Sequence, residues 1–152
     1  MCIRDRSYGV RNRLSDNLGQ RLFLVNAPVQ TDKTADSIKE IINEYKNYLG
    51  KNPITIEELT KAKNSRILRL PGQYETIGSL LGGISNIVKY EREYDYLNGL
   101  SEALDKPTLE DIRETAKKYI RPDQWTWLIV GDVKEIQSKI EALDIGEVIV
   151  LD

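Results

Sequence analysis

The chain has 152 residues, 40% of them hydrophobic and 30% charged, with a net charge of −2. That length suffices for one globular domain with a core, and the hydrophobic share excludes a disordered tail. The near-neutral balance gives no field that would favour nucleic acid or an anionic membrane.

In chain order, residues 8–14 ("YGVRNRL") suit a strand, "SDNLGQ" a turn, and residues 21–29 ("RLFLVNAPV") a returning strand. Pro28 marks an edge or a strand end, because proline cannot donate to a ladder. Ile38, Ile41, Ile42, Tyr45 and Leu49 then recur at helical spacing, with Asp32 or Thr34 as the cap and Gly50 as the stop. A second helix opens on a capping box, Thr55 with Glu58, buries Leu59, Ala62, Ile67 and Leu68, and breaks at Pro71-Gly72.

A third helix, roughly Tyr74–Tyr90, carries Ile77, Leu80, Leu81, Ile84, Ile87 and Val88. So many apolar positions predict deep burial, with Gly82-Gly83 read as close packing or a kink. A short helix ("YDYLNGLSEAL") follows, then one capped by Thr108 with Glu110 and Asp111 in its first turn. "QWTWLIVGD" reads as a buried strand, its "WLIV" covered on both faces or central in the sheet, "VKEIQSKIEAL" as a last helix on Ile136, Ile140 and Leu143, and "GEVIVLD" as a last strand. Strands separated by a helical block predict an α+β fold, an antiparallel-type sheet with helices packed on one face, in a single domain.

The absences narrow the chemistry. There is no histidine, and Cys2 is the one cysteine. Ser-His-Asp and Cys-His catalysis are excluded, as is nearly every zinc site built on His or Cys. An Asp/Glu-only site for magnesium or calcium stays open, although no calcium-loop or phosphate-loop motif is present. No apolar run approaches the ~20 residues of a membrane span, and no apolar segment of a signal peptide follows "MCIRDR".

Three segments together resemble the pitrilysin/insulinase-type zinc metallopeptidases, the inverzincins. They are "SYGV" with the hairpin and "VQTDKTADSIKEI", then "ITIEELTKAKNSRILRLPGQYETIGSLLGGI", then "TLEDIRETAKKYIRPDQWTWLIVGD". The resemblance implies a C-terminal, second-half domain with the fold of the mitochondrial-processing-peptidase group. The family's H-x-x-E-H zinc motif lies in a different, N-terminal domain. The resemblance therefore implies no metal ligand and no catalytic residue in this chain, with zinc held elsewhere in the intact protein. Implied partners are the N-terminal catalytic domain or a paired subunit, and a peptide substrate. A bacterial periplasm or envelope location follows from the family only. The family also contains non-catalytic partner and scaffold subunits, and a free-standing α+β binding module is a further alternative.

In the family, an Arg and a Tyr seven residues later reach the zinc site and hydrogen-bond the substrate backbone. Tyr8 matches that tyrosine and is the implied substrate-binding residue; the matching arginine position is Met1. Arg4 and Arg6 stand at the wrong spacing. "MCIRDR" resembles the in-frame translation of a sequencing-library adapter. Residues 1–6 are accordingly expected to be non-native, and 7–152 to be one N-terminally truncated domain.

Overall fold

The structure, a computed structural model, describes residues 9–151. In chain order the strands are β1 (Arg11–Leu14) and β2 (Phe23–Asn26). The helices are α1 (Thr34–Leu49), α2 (Ile56–Ile67), α3 (Leu70–Gln73), α4 (Ile77–Lys89), α5 (Leu100–Asp105), α6 (Leu109–Tyr119) and α7 (Val133–Glu141). The described residues form two compact units, one drawn from residues up to 52 and from 118 onward, the other from residues 53–117.

In the first unit β1 and β2 pair antiparallel, Arg11 opposite Asn26 and Leu14 opposite Phe23. β2 ends at Asn26, ahead of Pro28, which lies outside the regular ladder. β1 begins later than the sequence predicts. Gly9 takes φ +137°, a conformation that side-chain-bearing residues rarely adopt and that no regular strand position uses.

α1 and α7 then pack through Ile38, Ile136 and Ile140, each buried. Ile42, Trp127, Ile129, Leu143, Ile145 and Val148 close around that cluster. The predicted apolar stripes of both helices thus face one core. The predicted cap of α1 does not form: Lys33 occupies the N-cap without a side-chain bond. The Thr34 hydroxyl instead donates to the Thr31 carbonyl at 2.9 Å, because a 3-10 turn (Thr31–Lys33) already leads into the helix.

The two later strands of the prediction are absent from the described residues, whose sheet has two strands only. Residues 125–130 are half-buried and exposed in strict alternation, yet no neighbouring strand pairs with them. Period-two patterning makes a segment extended; a ladder also needs a partner. "WLIV" is accordingly not covered on both faces, since Leu128 is 83% exposed and Val130 92%.

The second unit is helical, and the caps at Thr55 and Thr108 follow the sequence, whereas the capping box of Thr76 and Ser79 at α4 is not expected from it. The Thr55 hydroxyl accepts from the Glu58 N–H at 3.2 Å, and the Glu58 carboxylate accepts from the Thr55 N–H at 2.9 Å. Thr108 and Asp111 repeat the arrangement at α6, at 3.2 and 2.7 Å. α2 meets α5 where Lys63 donates to the Asp105 carbonyl, and the Arg113 guanidinium donates to the Ile54 carbonyl at 2.9 Å. These are bonds to charged donors, the stronger kind.

Burial departs from expectation here. Leu59 is buried, but Ala62 and Leu68 are exposed. On α4 only Gly83 and Ile87 are buried. Ile77, Leu80, Leu81, Ile84 and Val88 are open, because Tyr74 covers one stripe of a helix that is apolar on several. Pro71 does not simply end α2; it sits in the first turn of α3, where its missing N–H costs nothing.

The hydrogen bonds from the Thr108 side chain and N–H hold the Asp111 carboxyl below its ordinary carboxylate range. A depressed folded-state value stabilises above the unfolded value, and that contribution is lost as pH falls through the folded one. The start of α6 is therefore expected to fray on acidification below about pH 4. Far-UV circular dichroism against pH would check this, with Asp111→Ala flattening the α6 part of the acid limb. An unchanged limb in that variant would remove the cap from the account.

Candidate peptide-contacting hairpin

Tyr8, the one substrate-contact residue expected from the sequence, lies outside the described residues. What is described is the frame that follows it. Gly9 has φ +137°, and β1 starts two residues later. The glycine of "SYG" is thus favoured by the backbone at residue 9, a conformation that a strand over residues 8–14 does not predict. The signal was in the sequence, since a glycine at a strand start marks a special conformation as readily as a strand residue.

The hairpin is closed by Ser15. Its N–H donates to the Leu22 carbonyl at 2.8 Å, and its hydroxyl accepts from the Leu22 N–H at 2.7 Å. β2 turns Phe23 and Val25 toward the unit's interior. The Phe23 ring meets Tyr45 of α1 edge-on at 6.1 Å, Tyr45 meets Trp125 at 4.8 Å, and Trp125 meets Trp127 at 5.8 Å. These are edge-to-face pairs, the preferred geometry for aromatic rings. Asn12 also donates to the Tyr45 hydroxyl at 3.4 Å. The aromatic row fixes β2 on the helical layer.

All four residues of β1 are exposed. Among the described residues β1 has a ladder partner on one side only, which leaves its other edge open to an extended backbone. Such an edge can bind a peptide through main-chain hydrogen bonds and orient it along the strand. It performs no acid–base step.

Elsewhere the described residues supply little chemistry. No group of three or more His, Cys, Asp or Glu side chains among them could hold a metal ion. A shallow groove on α2 is lined by Ile56, Glu57, Thr60, Lys61, Asn64 and Ser65. The carboxyl of Glu57 there is held below its ordinary value by a backbone hydrogen bond and by Thr55, which suits an ionised helix-start carboxylate rather than a proton donor near neutrality. No helix among the described residues is long and apolar enough to cross a membrane.

No family model matches the sequence, and no curated protein matches it. A solved structure does. The crystal structure of a peptidase M16 inactive domain from Pseudomonas fluorescens superposes with a TM-score of 0.69 over 80% of this chain, at 20% identity. The matched region is 29% of that chain, so this protein spans less than a third of the neighbour's length. At this identity the likeness is one of fold: over four-fifths of its length, the chain has the α+β fold seen in a peptidase M16 inactive domain.

Proposed function

We propose that this chain is the non-catalytic, substrate-clamping domain of a pitrilysin-type zinc metallopeptidase. The observation that carries the reading is the fold shared with a peptidase M16 inactive domain. The motif order from "SYGV" to "WLIVGD" and the open edge of β1 support it. Zinc, bound by a different domain, would supply Lewis acidity and an activated water. This chain's part is to bind and orient. An extended peptide lies along β1 by strand addition, and the Tyr8 phenol donates a hydrogen bond to a substrate carbonyl. In the intact protein a donor aimed at the developing oxyanion is worth about 3 kcal/mol.

The description of the neighbour as an inactive domain also favours a second reading, a partner or scaffold subunit of the same family. Titrating a fluorescent, unstructured peptide with the purified chain separates the two. The clamp reading expects saturable binding, weakened about fivefold by Tyr8→Phe, the worth of one net hydrogen bond. No saturable binding leaves the scaffold reading. Zinc-dependent peptide cleavage by the 152-residue chain would overturn both.

A further inference from the structure

Asn98 and Gly99 lie in the run of turns ahead of α5, and both are exposed. Asn98 is the one asparagine of the chain that glycine follows. Nothing in the fold asks for that glycine. Its φ of −83° suits any residue, and a Cβ there would meet nothing within 4 Å. Among the described residues its N–H makes no hydrogen bond, and neither does the Asn98 carboxamide. The backbone bond that spans the pair, from the Leu100 N–H to the Leu97 carbonyl, is 3.4 Å, beyond the usual N–H···O range. Rotation about ψ of Asn98, which brings its carboxamide toward the next nitrogen, therefore breaks one weak contact.

We propose that Asn98 is a site of spontaneous deamidation and isoaspartate formation. The Gly99 nitrogen attacks Cγ of Asn98, and the new C–N bond closes a succinimide ring. The Cγ–Nδ2 bond breaks, and ammonia leaves with the proton that Gly99 gives up. Water then adds to either ring carbonyl. Opening at one gives aspartate; opening at the other gives isoaspartate, whose backbone runs through the side-chain carbons. With no side chain at residue 99 the attacking nitrogen is unshielded, and reacting groups held as neighbours need no encounter. Asn64 shows what the fold contributes. It too is exposed and precedes a small residue, Ser65, yet it lies inside α2, where the helix ladder holds the Ser65 N–H. Either product at residue 98 adds one negative charge to a chain whose net charge is −2. The isoaspartyl form also lengthens the backbone by a methylene just ahead of α5, whose Asp105 carbonyl holds Lys63 of α2.

Ageing the full chain in mildly alkaline buffer, followed by mass mapping, tests this. Residues 93–113 form one tryptic peptide, because Pro107 blocks cleavage after Lys106, and Asn98 is its one amide side chain. That peptide should gain the mass of an amide-to-acid exchange and become a substrate for isoaspartyl methyltransferase. Asn64, followed by fragment ions after glutamate-specific cleavage, should stay an amide. Gly99→Ala should slow the conversion at least about tenfold, since its methyl crowds the attack, with an unchanged circular dichroism spectrum. A folded chain that keeps Asn98 intact while a synthetic peptide of residues 93–113 converts overturns the proposal. So does equal conversion of Asn64, or a Gly99→Ala variant that converts at the parent rate.

Discussion

Ile136→Ala is expected to destabilise the first unit by about 3–4 kcal/mol, the upper part of the range for truncating a buried isoleucine. Ile136 is 5% exposed and sits between Ile38 of α1 and the Ile140 turn of α7. Removing its three outer carbons loses their transfer energy and leaves a cavity. Helices on both sides restrict how far the cavity can collapse. A domain of this size has roughly 5–15 kcal/mol in total, so one substitution takes a large share. Urea unfolding followed by tryptophan fluorescence reads it directly, since both tryptophans, Trp125 and Trp127, belong to this unit and Trp127 touches the cluster. Leu128→Ala is the internal comparison. At 83% exposure its change should stay within about 0.5 kcal/mol. A loss below about 1 kcal/mol for Ile136→Ala would mean that the core lies elsewhere.

Neighbouring glycines on α4 should respond in opposite directions. Gly82→Ala is expected to stabilise the second unit by about 0.5–1 kcal/mol. Its new methyl meets nothing within 4 Å, and alanine restricts the unfolded chain more than glycine does. Gly83→Ala has the same propensity gain, but its methyl would stand 2.8 Å from Tyr74 Cε1 and 3.3 Å from Cδ1. Overpacking of that kind typically costs 1–3 kcal/mol, so the net expectation is a loss of about 1 kcal/mol or more. Denaturation followed by circular dichroism measures both. A double-mutant cycle with Tyr74→Ala should recover most of the Gly83→Ala penalty, because the ring is what the methyl strikes. If Gly83→Ala stabilises as much as Gly82→Ala, Tyr74 does not seal this side of α4.

The comparison also shows where reading by pattern stops. Gly82-Gly83 reads as close packing or a kink, and close packing holds for Gly83 alone. The two residues point about 100° apart on a helix, and only the position of Tyr74 distinguishes them. α4 shows the same limit. Its six apolar side chains imply burial, yet Ile77 is 89% exposed and Ile87 8%. Apolar content states what a helix could bury and does not supply the neighbour that buries it.

The sequence by itself determined the local elements: the hairpin ahead of α1, the capping box at Thr55, the cap at Thr108, the end of β2 ahead of Pro28 and the inward stripes of α1 and α7. Each of these depends on interactions within a few residues, or on one face of one element, and such information is complete in a short window of chain. The absence of histidine, and with it a whole class of catalysis, was equally plain. Tertiary structure alone decided the rest. It set which of the apolar segments obtain partners, so that Trp127 and Ile129 reach the core while Leu128 and Val130 remain open. It set the lack of a ladder along residues 125–130, since strand pairing is a property of two segments and no single one encodes it. It also gave Gly9 its positive φ just before β1, where "SYG" reads simply as strand.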